Sequence, residues 1–127
     1  METILLVEDE IVIALGTSMM LEDAGYTVHV APDGQAGLDQ ALKVEPDLIM
    51  TDMMMPRMNG LAMIDELRRR GVTVPIIIAT SISEESLRKG DGGSYDAYLG
   101  KPYREGPLLA LVRQLLDGHA SEETNGS

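Results

Sequence analysis

Asp52 stands at the end of a short apolar run, Asp47-Leu48-Ile49-Met50-Thr51, bracketed by Pro46 and Pro56. Between two prolines the run is too short for a helix, so a buried strand is expected. Pro56 cannot continue a strand ladder, and Asn59-Gly60 turn the chain into the helical pattern that begins at Leu61. A strand ending in an acid, then an irregular loop, then a helix is how open α/β sheets build sites at the carboxyl ends of their strands. Taken alone, Asp52 is better read as the cap of a turn. Three further stretches change the balance. Glu8-Asp9-Glu10 follows the apolar run from Thr3 to Val7, Thr80 closes Pro75-Ile76-Ile77-Ile78-Ala79, and Lys101-Pro102 follows the run from Tyr95 to Gly100. Carboxylates brought within about 4 Å repel by roughly 4 kcal/mol per pair at an effective dielectric near 20. A hard divalent cation relieves that repulsion, and an all-oxygen set without His or Cys suits Mg2+ or Mn2+. Such a cation, with a nucleophilic carboxylate, a Lys and a hydroxyl, is the equipment of phosphoryl transfer.

For these groups to meet, the chain must alternate strands and helices. Strands are expected at Thr3 to Val7, Tyr26 to Ala31, up to Thr51, Pro75 to Thr80 and Tyr95 to Gly100. Helices are expected at Ile11 to Ala24, Gln35 to Val44, Gly60 to Arg70, from Ser83 onward, and Arg104 to Leu116. Ser83 supplies a cap for the fourth helix, and Glu84-Glu85 suit its positive first turn. The glycines of Lys89-Gly90-Asp91-Gly92-Gly93 should end that helix early, at about 1 kcal/mol each against alanine. This pattern implies an α/β fold: one doubly wound, five-stranded parallel sheet with five helices on its two faces. In such a sheet all the strand ends share one edge, so the acids, Asp52, Thr80 and Lys101 converge there.

With 127 residues, 44% of them hydrophobic, the chain is a single globular domain. Residues 1–117 are expected to form it and residues 118–127, small, polar and acidic, a disordered tail. A net charge of -11 opposes binding to nucleic acid or anionic lipid, and the absence of Trp and Phe removes any stacking platform for bases. The absence of cysteine, of a signal peptide and of a membrane-length apolar run leads to a cytoplasmic expectation.

The ordered set Glu8-Asp9, Asp52-x-x-Met55-Pro56-x-x-x-Gly60, Thr80-Ser81 and Lys101-Pro102 resembles the receiver domain of two-component response regulators. The resemblance runs from Thr3 to about Leu116, and it implies the flavodoxin-like, receiver type of the fold. By that resemblance Asp52 is the phosphoacceptor. Asp9, Asp52 and the Met54 backbone carbonyl would ligate Mg2+ (or Mn2+), with Glu8 acting through water. Thr80 and Lys101 would contact the phosphoryl oxygens, Tyr98 would couple to Thr80 as a switch, and the Lys101-Pro102 bond would be cis. The implied role is that of a stand-alone response regulator, phosphorylated by a histidine kinase or a histidine phosphotransfer protein. It would signal to a downstream protein partner or pass the phosphate on in a phosphorelay. It would be a signalling protein rather than an enzyme acting on external substrates.

Other readings fit less well. A degenerate receiver used only as a binding module is the alternative, but every expected side chain is present. An aspartyl-nucleophile hydrolase would want a second Asp where Met54 stands, and an FMN site would be repelled by Glu8-Asp9-Glu10. The resemblance departs at Ser94-Tyr95, where many receivers have Gly-Ala. Arg68-Arg69-Arg70 reads as a solvated helix end and Met53-Met54-Met55 as core and loop packing, while His29 and His119 have no second metal-type ligand nearby. From Ile11 to Leu21 there is no charge. Ile13, Thr17, Met20, Leu21 and Ala24 are expected to face the core. Ile11, Leu15, Ser18 and Met19 form a second stripe, of which Ile11, Leu15 and Met19 are the expected docking patch for the phosphate donor.

Overall fold

The computed structural model describes residues 2–89 and 94–125. Five strands and five helices alternate: β1 (Thr3–Val7), α1 (Ile11–Asp23), β2 (Thr27–Ala31), α2 (Gly34–Val44), β3 (Leu48–Thr51), α3 (Gly60–Arg69), β4 (Ile76–Thr80), α4 (Glu84–Lys89), β5 (Ala97–Gly100) and α5 (Glu105–Asn125). All strand pairs are parallel and the order is β2-β1-β3-β4-β5. The chain winds from β1 outward to β2, then returns across β1 to β3. The reversal falls between β1 and β3, whose carboxyl ends carry Glu8-Asp9 and Asp52. Open α/β sheets hold their ligands at such a reversal.

Central strands of a parallel sheet are covered on both faces, and β1, β3 and β4 are buried almost throughout. Alternate residues feed two cores. Ile4, Leu6, Leu48, Met50, Ile77 and Ala79 pack with Ala14 and Leu21 of α1 and Leu108, Val112 and Leu116 of α5. On the other face Leu5, Val7, Ile49 and Ile76 pack with Leu38 and Ala41 of α2 and Met63, Ile64 and Leu67 of α3. Each fully buried Leu or Ile contributes about 1.5–3 kcal/mol of apolar transfer.

Local signals set the helix ends. The Asp33 carboxylate accepts the Ala36 amide at 2.8 Å to cap α2, and the Asn59 side chain accepts Ala62 N–H at 2.8 Å to cap α3. Ser83 Oγ takes the Ser86 amide at 3.2 Å, so α4 starts as the sequence indicates. Among the described residues that helix spans Glu84–Lys89. Residues 90–93, where its glycines lie, are outside the described residues.

Two expectations are corrected. Helix α5 does not stop near residue 117; it continues to Asn125. Gly118 is one unfavourable residue of about 1 kcal/mol, and neither a proline nor a left-handed glycine terminates the helix there. In α1 the buried residues are Ala14, Thr17, Ser18 and Leu21. Ser18 therefore faces inward, its hydroxyl bonded to the Leu15 carbonyl at 3.0 Å, while Ala24 is exposed and Ile13 and Met20 are half-buried. The helix carries no charge from Ile11 to Leu21 to mark its outer side, so periodicity alone placed the core stripe about one residue out of phase.

Arg68 is a third correction. Arg69 and Arg70 lie in solvent, paired to Glu66, but Arg68 is inserted. Its NH1 donates to the Val72 and Val74 carbonyls, both at 2.9 Å. Its Nε and NH2 reach the Ser94 carbonyl, and NH2 also reaches Asp96 Oδ2 at 2.8 Å. All five guanidinium N–H groups are thus used. They tie the end of α3 to the α3–β4 loop and to the chain entering β5. Asp96 Oδ2 also accepts the Ile76 amide, which places the start of β4 in the same cluster.

Candidate functional site

The expected residues converge at the carboxyl edge of the sheet. Backbone pairing carries each one there. The Glu8 amide extends the ladder to the Ala31 carbonyl, the Asp52 amide to Val7, and the Lys101 amide to Thr80, at 3.0, 3.1 and 2.9 Å. Glu8, Asp9 and Asp52 each offer an oxygen, and those oxygens lie within 4.8 Å of one another. Glu8 and Asp52 are buried; Asp9 faces solvent. Lys101 Nζ lies between the two buried acids, 2.6 Å from Glu8 Oε1 and 2.9 Å from Asp52 Oδ2. Its peptide bond to Pro102 is cis.

Around Asp52 the backbone completes the cradle. Asp52 Oδ1 accepts the Met53 amide at 2.6 Å and the Met54 amide at 3.3 Å. The Thr51 hydroxyl donates to the Asp52 carbonyl at 2.8 Å. Gly60 leaves room for that same carbonyl: a Cβ there would sit 2.2 Å from Asp52 O. Met54 is 62% exposed at the mouth, whereas Met55 packs against the second core, so the methionine run is only partly packing.

Burial and charge pull on the titrating groups in opposite directions. Desolvation raises the Glu8 carboxyl above its ordinary value, and the hydrogen bonds from Lys101 and the Glu10 amide offset only part of that. For Lys101, burial is the largest single influence and favours the neutral amine. The bonds to Glu8 and Asp52 together outweigh it, so the ammonium is held above its usual range. The cluster is therefore one charged Lys between two buried acids, with Asp9 on the solvent side, and it leaves an acidic, oxygen-lined mouth suited to a hard cation.

Thr80 is buried beside this group, and Ile82 links it to Tyr98. The Ile82 amide donates to Thr80 Oγ1 at 3.3 Å, and the Tyr98 hydroxyl donates to the Ile82 carbonyl at 2.7 Å. Both expected switch residues thus bond to one residue of the β4–α4 loop, a link that no spacing rule would disclose. On the other flank Tyr103 bonds Thr17 Oγ1 at 2.6 Å, and burial raises its phenol above the usual value. An open apolar groove of about 400 Å³ runs there between Val12, Ile13, Gly16 and Met20 of α1 and Lys101-Pro102-Tyr103. Exposed Val12 belongs to this surface and was not expected from the sequence; the uncharged run from Ile11 to Leu21 was its only signal. The expected docking patch does face outward, with Ile11, Leu15 and Met19 exposed by 82, 60 and 55%.

A doubly wound α/β protein with an acid-and-lysine cluster at its topological reversal is the class that fold and site together define. The response regulator receiver domain family matches residues 4–113, and the chain belongs to it. Its fold is the flavodoxin-like receiver fold. Among curated relatives, the response regulator ArlR of Staphylococcus epidermidis is 42% identical over 118 residues, covering 91% of this chain and 53% of ArlR. The DNA-binding dual master transcriptional regulator RpaA of Synechocystis is 38% identical over 120 residues, 91% of this chain and 49% of RpaA. The chain thus spans about half the length of these relatives. Among solved structures, chemotaxis protein CheY4 of Vibrio cholerae superposes with a TM-score of 0.83 at 32% identity, covering 91% of this chain and 98% of that one. The receiver domain of a Pseudomonas aeruginosa sensor histidine kinase, solved with magnesium coordinated in its active-site cleft, gives 0.85 at 28% identity over the same shares. Among the described residues no helix is long and apolar enough to cross a membrane.

Proposed function

We propose that this receiver takes a phosphoryl group on Asp52 from the phosphohistidine of a histidine kinase or histidine phosphotransfer protein. The observation that carries the reading is the contact of Lys101 Nζ with both buried acids, Glu8 and Asp52, at the negative mouth. One Asp52 oxygen attacks phosphorus in line. The O–P bond forms as the N–P bond breaks, and the departing imidazole takes up a proton. The Met53 and Met54 amides orient the carboxylate. Lys101 moves from the acids to the incoming phosphoryl oxygens, and the Thr80 hydroxyl bonds a second oxygen. Asp9, Asp52 and the Met54 carbonyl would hold Mg2+ (or Mn2+), with Glu8 contributing through water. The ion supplies charge neutralisation at the equatorial oxygens.

Rearrangement of Thr80 would free the Ile82 amide and so reach Tyr98 through the same residue. The output is then a changed protein-binding surface or onward phosphotransfer. The Ile11-Leu15-Met19 stripe beside the mouth is the surface assigned to the donor, because it is apolar, exposed and adjacent to Asp52's edge. Intact mass after acetyl phosphate and Mg2+ tests the reading. One added phosphate is expected, absent when Mg2+ is chelated and absent in Asp52→Asn. An Asp52→Asn protein that still gains the phosphate overturns it.

A further inference from the structure

Resting on that reading, we infer that Gly34, outside the acid-and-lysine cluster, is a positioning residue for the phosphorylation loop. The β2–α2 turn forms a hard seat under residues 53–59, the loop that joins β3 to α3. A Cβ at Gly34 would lie 2.1 Å from the Met58 carbonyl oxygen, 2.8 Å from its carbon and 2.9 Å from Met58 Cβ. Two of these three atoms are backbone, so no side-chain rotation relieves the clash. The loop would have to retreat by about 1 Å, and displacements of that size at a reacting centre cost up to about a hundredfold.

The retreat has few places to go. At its far end the loop is pinned, because Gly60 packs directly on the Asp52 carbonyl and its amide bonds Met53 O at 2.9 Å. Met58 N–H bonds the Pro56 carbonyl at 2.8 Å, and the Met58 side chain packs on the second core. A push on Met58 is therefore passed to residues 53–57. Those residues include the Met53 and Met54 amides that hold Asp52 Oδ1 and the Met54 carbonyl expected at the metal. A second tie joins the turn to the loop, Arg57 to Asp33 at 3.5 Å. Arg57 is 76% exposed, so this pair adds little and the steric seat carries the effect. Nothing else at Gly34 requires glycine: it opens α2, where alanine is the better helix former.

Gly37, one turn along the same helix, provides the control. A Cβ there would meet Met63 Sδ at 2.7 Å and Val7 Cγ2 at 2.8 Å, core side chains rather than the loop backbone. Wild type, Gly34→Ala and Gly37→Ala are titrated with Mg2+ alone by calorimetry, melted without Mg2+, and labelled with acetyl phosphate. Gly34→Ala is expected to lose Mg2+ affinity by about tenfold to a hundredfold and to label more slowly at saturating Mg2+. Gly37→Ala should melt lower yet keep wild-type affinity and labelling. Wild-type affinity and labelling in Gly34→Ala, or equal losses in both variants, overturn the inference. If wild type itself neither binds Mg2+ nor takes phosphate, the phosphoacceptor reading falls first and this inference with it. A measurement on the unmodified protein stands if Gly34→Ala does not fold. On Mg2+ binding the amide resonances of Met58 and Gly34 should shift together while that of Gly37 stays; an unmoved Gly34 refutes the seat.

Discussion

Replacing Lys101 with Ala should cost stability in a way that Mg2+ repairs. In the absence of metal, Lys101 is the cation that touches Glu8 and Asp52, whose side chains are only 3 and 9% exposed. The acid oxygens lie within 4.8 Å of one another, where two unit charges repel by about 3.5 kcal/mol at an effective dielectric near 20. Removing one partner of a buried charge cluster typically costs about 3–5 kcal/mol. Because Lys101 retains 12% exposure, the low end applies, and about 3 kcal/mol corresponds to a drop in Tm of roughly 10 °C for a domain of this size. Saturating Mg2+ replaces the missing charge. Wild type gains from the ion by the same mass action, so the gap narrows only through the ratio of the two affinities, and halving about 3 kcal/mol requires Mg2+ to bind the variant more than about tenfold more tightly. The ion should bind the variant more tightly than wild type, since no ammonium competes for the acids. The assay is thermal unfolding of both proteins with Mg2+ and with a chelator. The expected result is a large gap under chelation that shrinks by more than half with Mg2+. A gap that is the same in both conditions refutes the electrostatic account. pH supplies a second check. Glu8 is already raised by burial, and losing Lys101 raises it further. A raised folded pKa gives stability that is present at low pH and lost as pH rises through it, so the variant's deficit should narrow on acidification.

Leu15→Glu should fold within about 0.5 kcal/mol of wild type, because the side chain is 60% exposed, and should still label with acetyl phosphate while losing transfer from its phosphohistidine donor. Undiminished transfer would remove the stripe from the docking face. The phosphorylated form should be long-lived, since Met54 and Ile82 flank the acid and the hydroxyl without offering a general base. Decay within seconds, or no acceleration in a Met54→Asn, Ile82→Glu double variant, would contradict this. Arg68→Ala should lower stability by about 2 kcal/mol by stranding the Val72, Val74 and Ser94 carbonyls. Arg68→Lys should recover less than half of that in denaturant melts, because an ammonium lacks the planar fork; full recovery would show that charge alone suffices.

Much of the site was legible in the chain because its signals are local. A strand rich in Ile, Leu and Val ends where a charged or hydroxyl residue follows, so Glu8-Asp9, Asp52, Thr80 and Lys101 mark strand exits directly. Alternation of strand and helix then obliges parallel pairing, which brings all four exits to one edge. The cap at Ser83 is equally local, and so are those at Asp33 and Asn59, read in the sequence only as turn residues; each side chain binds a backbone amide three residues on. Tertiary structure alone decided the strand order, and hence that β1 and β3 are neighbours and that Glu8 can share Lys101 with Asp52. It also decided the inner face of α1, where no charge marks a polar side from Ile11 to Leu21 and packing against β2 and β1 buries Ala14, Thr17, Ser18 and Leu21. Arg68 and Gly34 belong with these. One looked like a solvated cation and the other like part of the turn that leaves the second strand, just ahead of the helix expected from Gln35. Each acquires its role from backbone carbonyls that are distant in sequence and close in space, which no periodicity or propensity records.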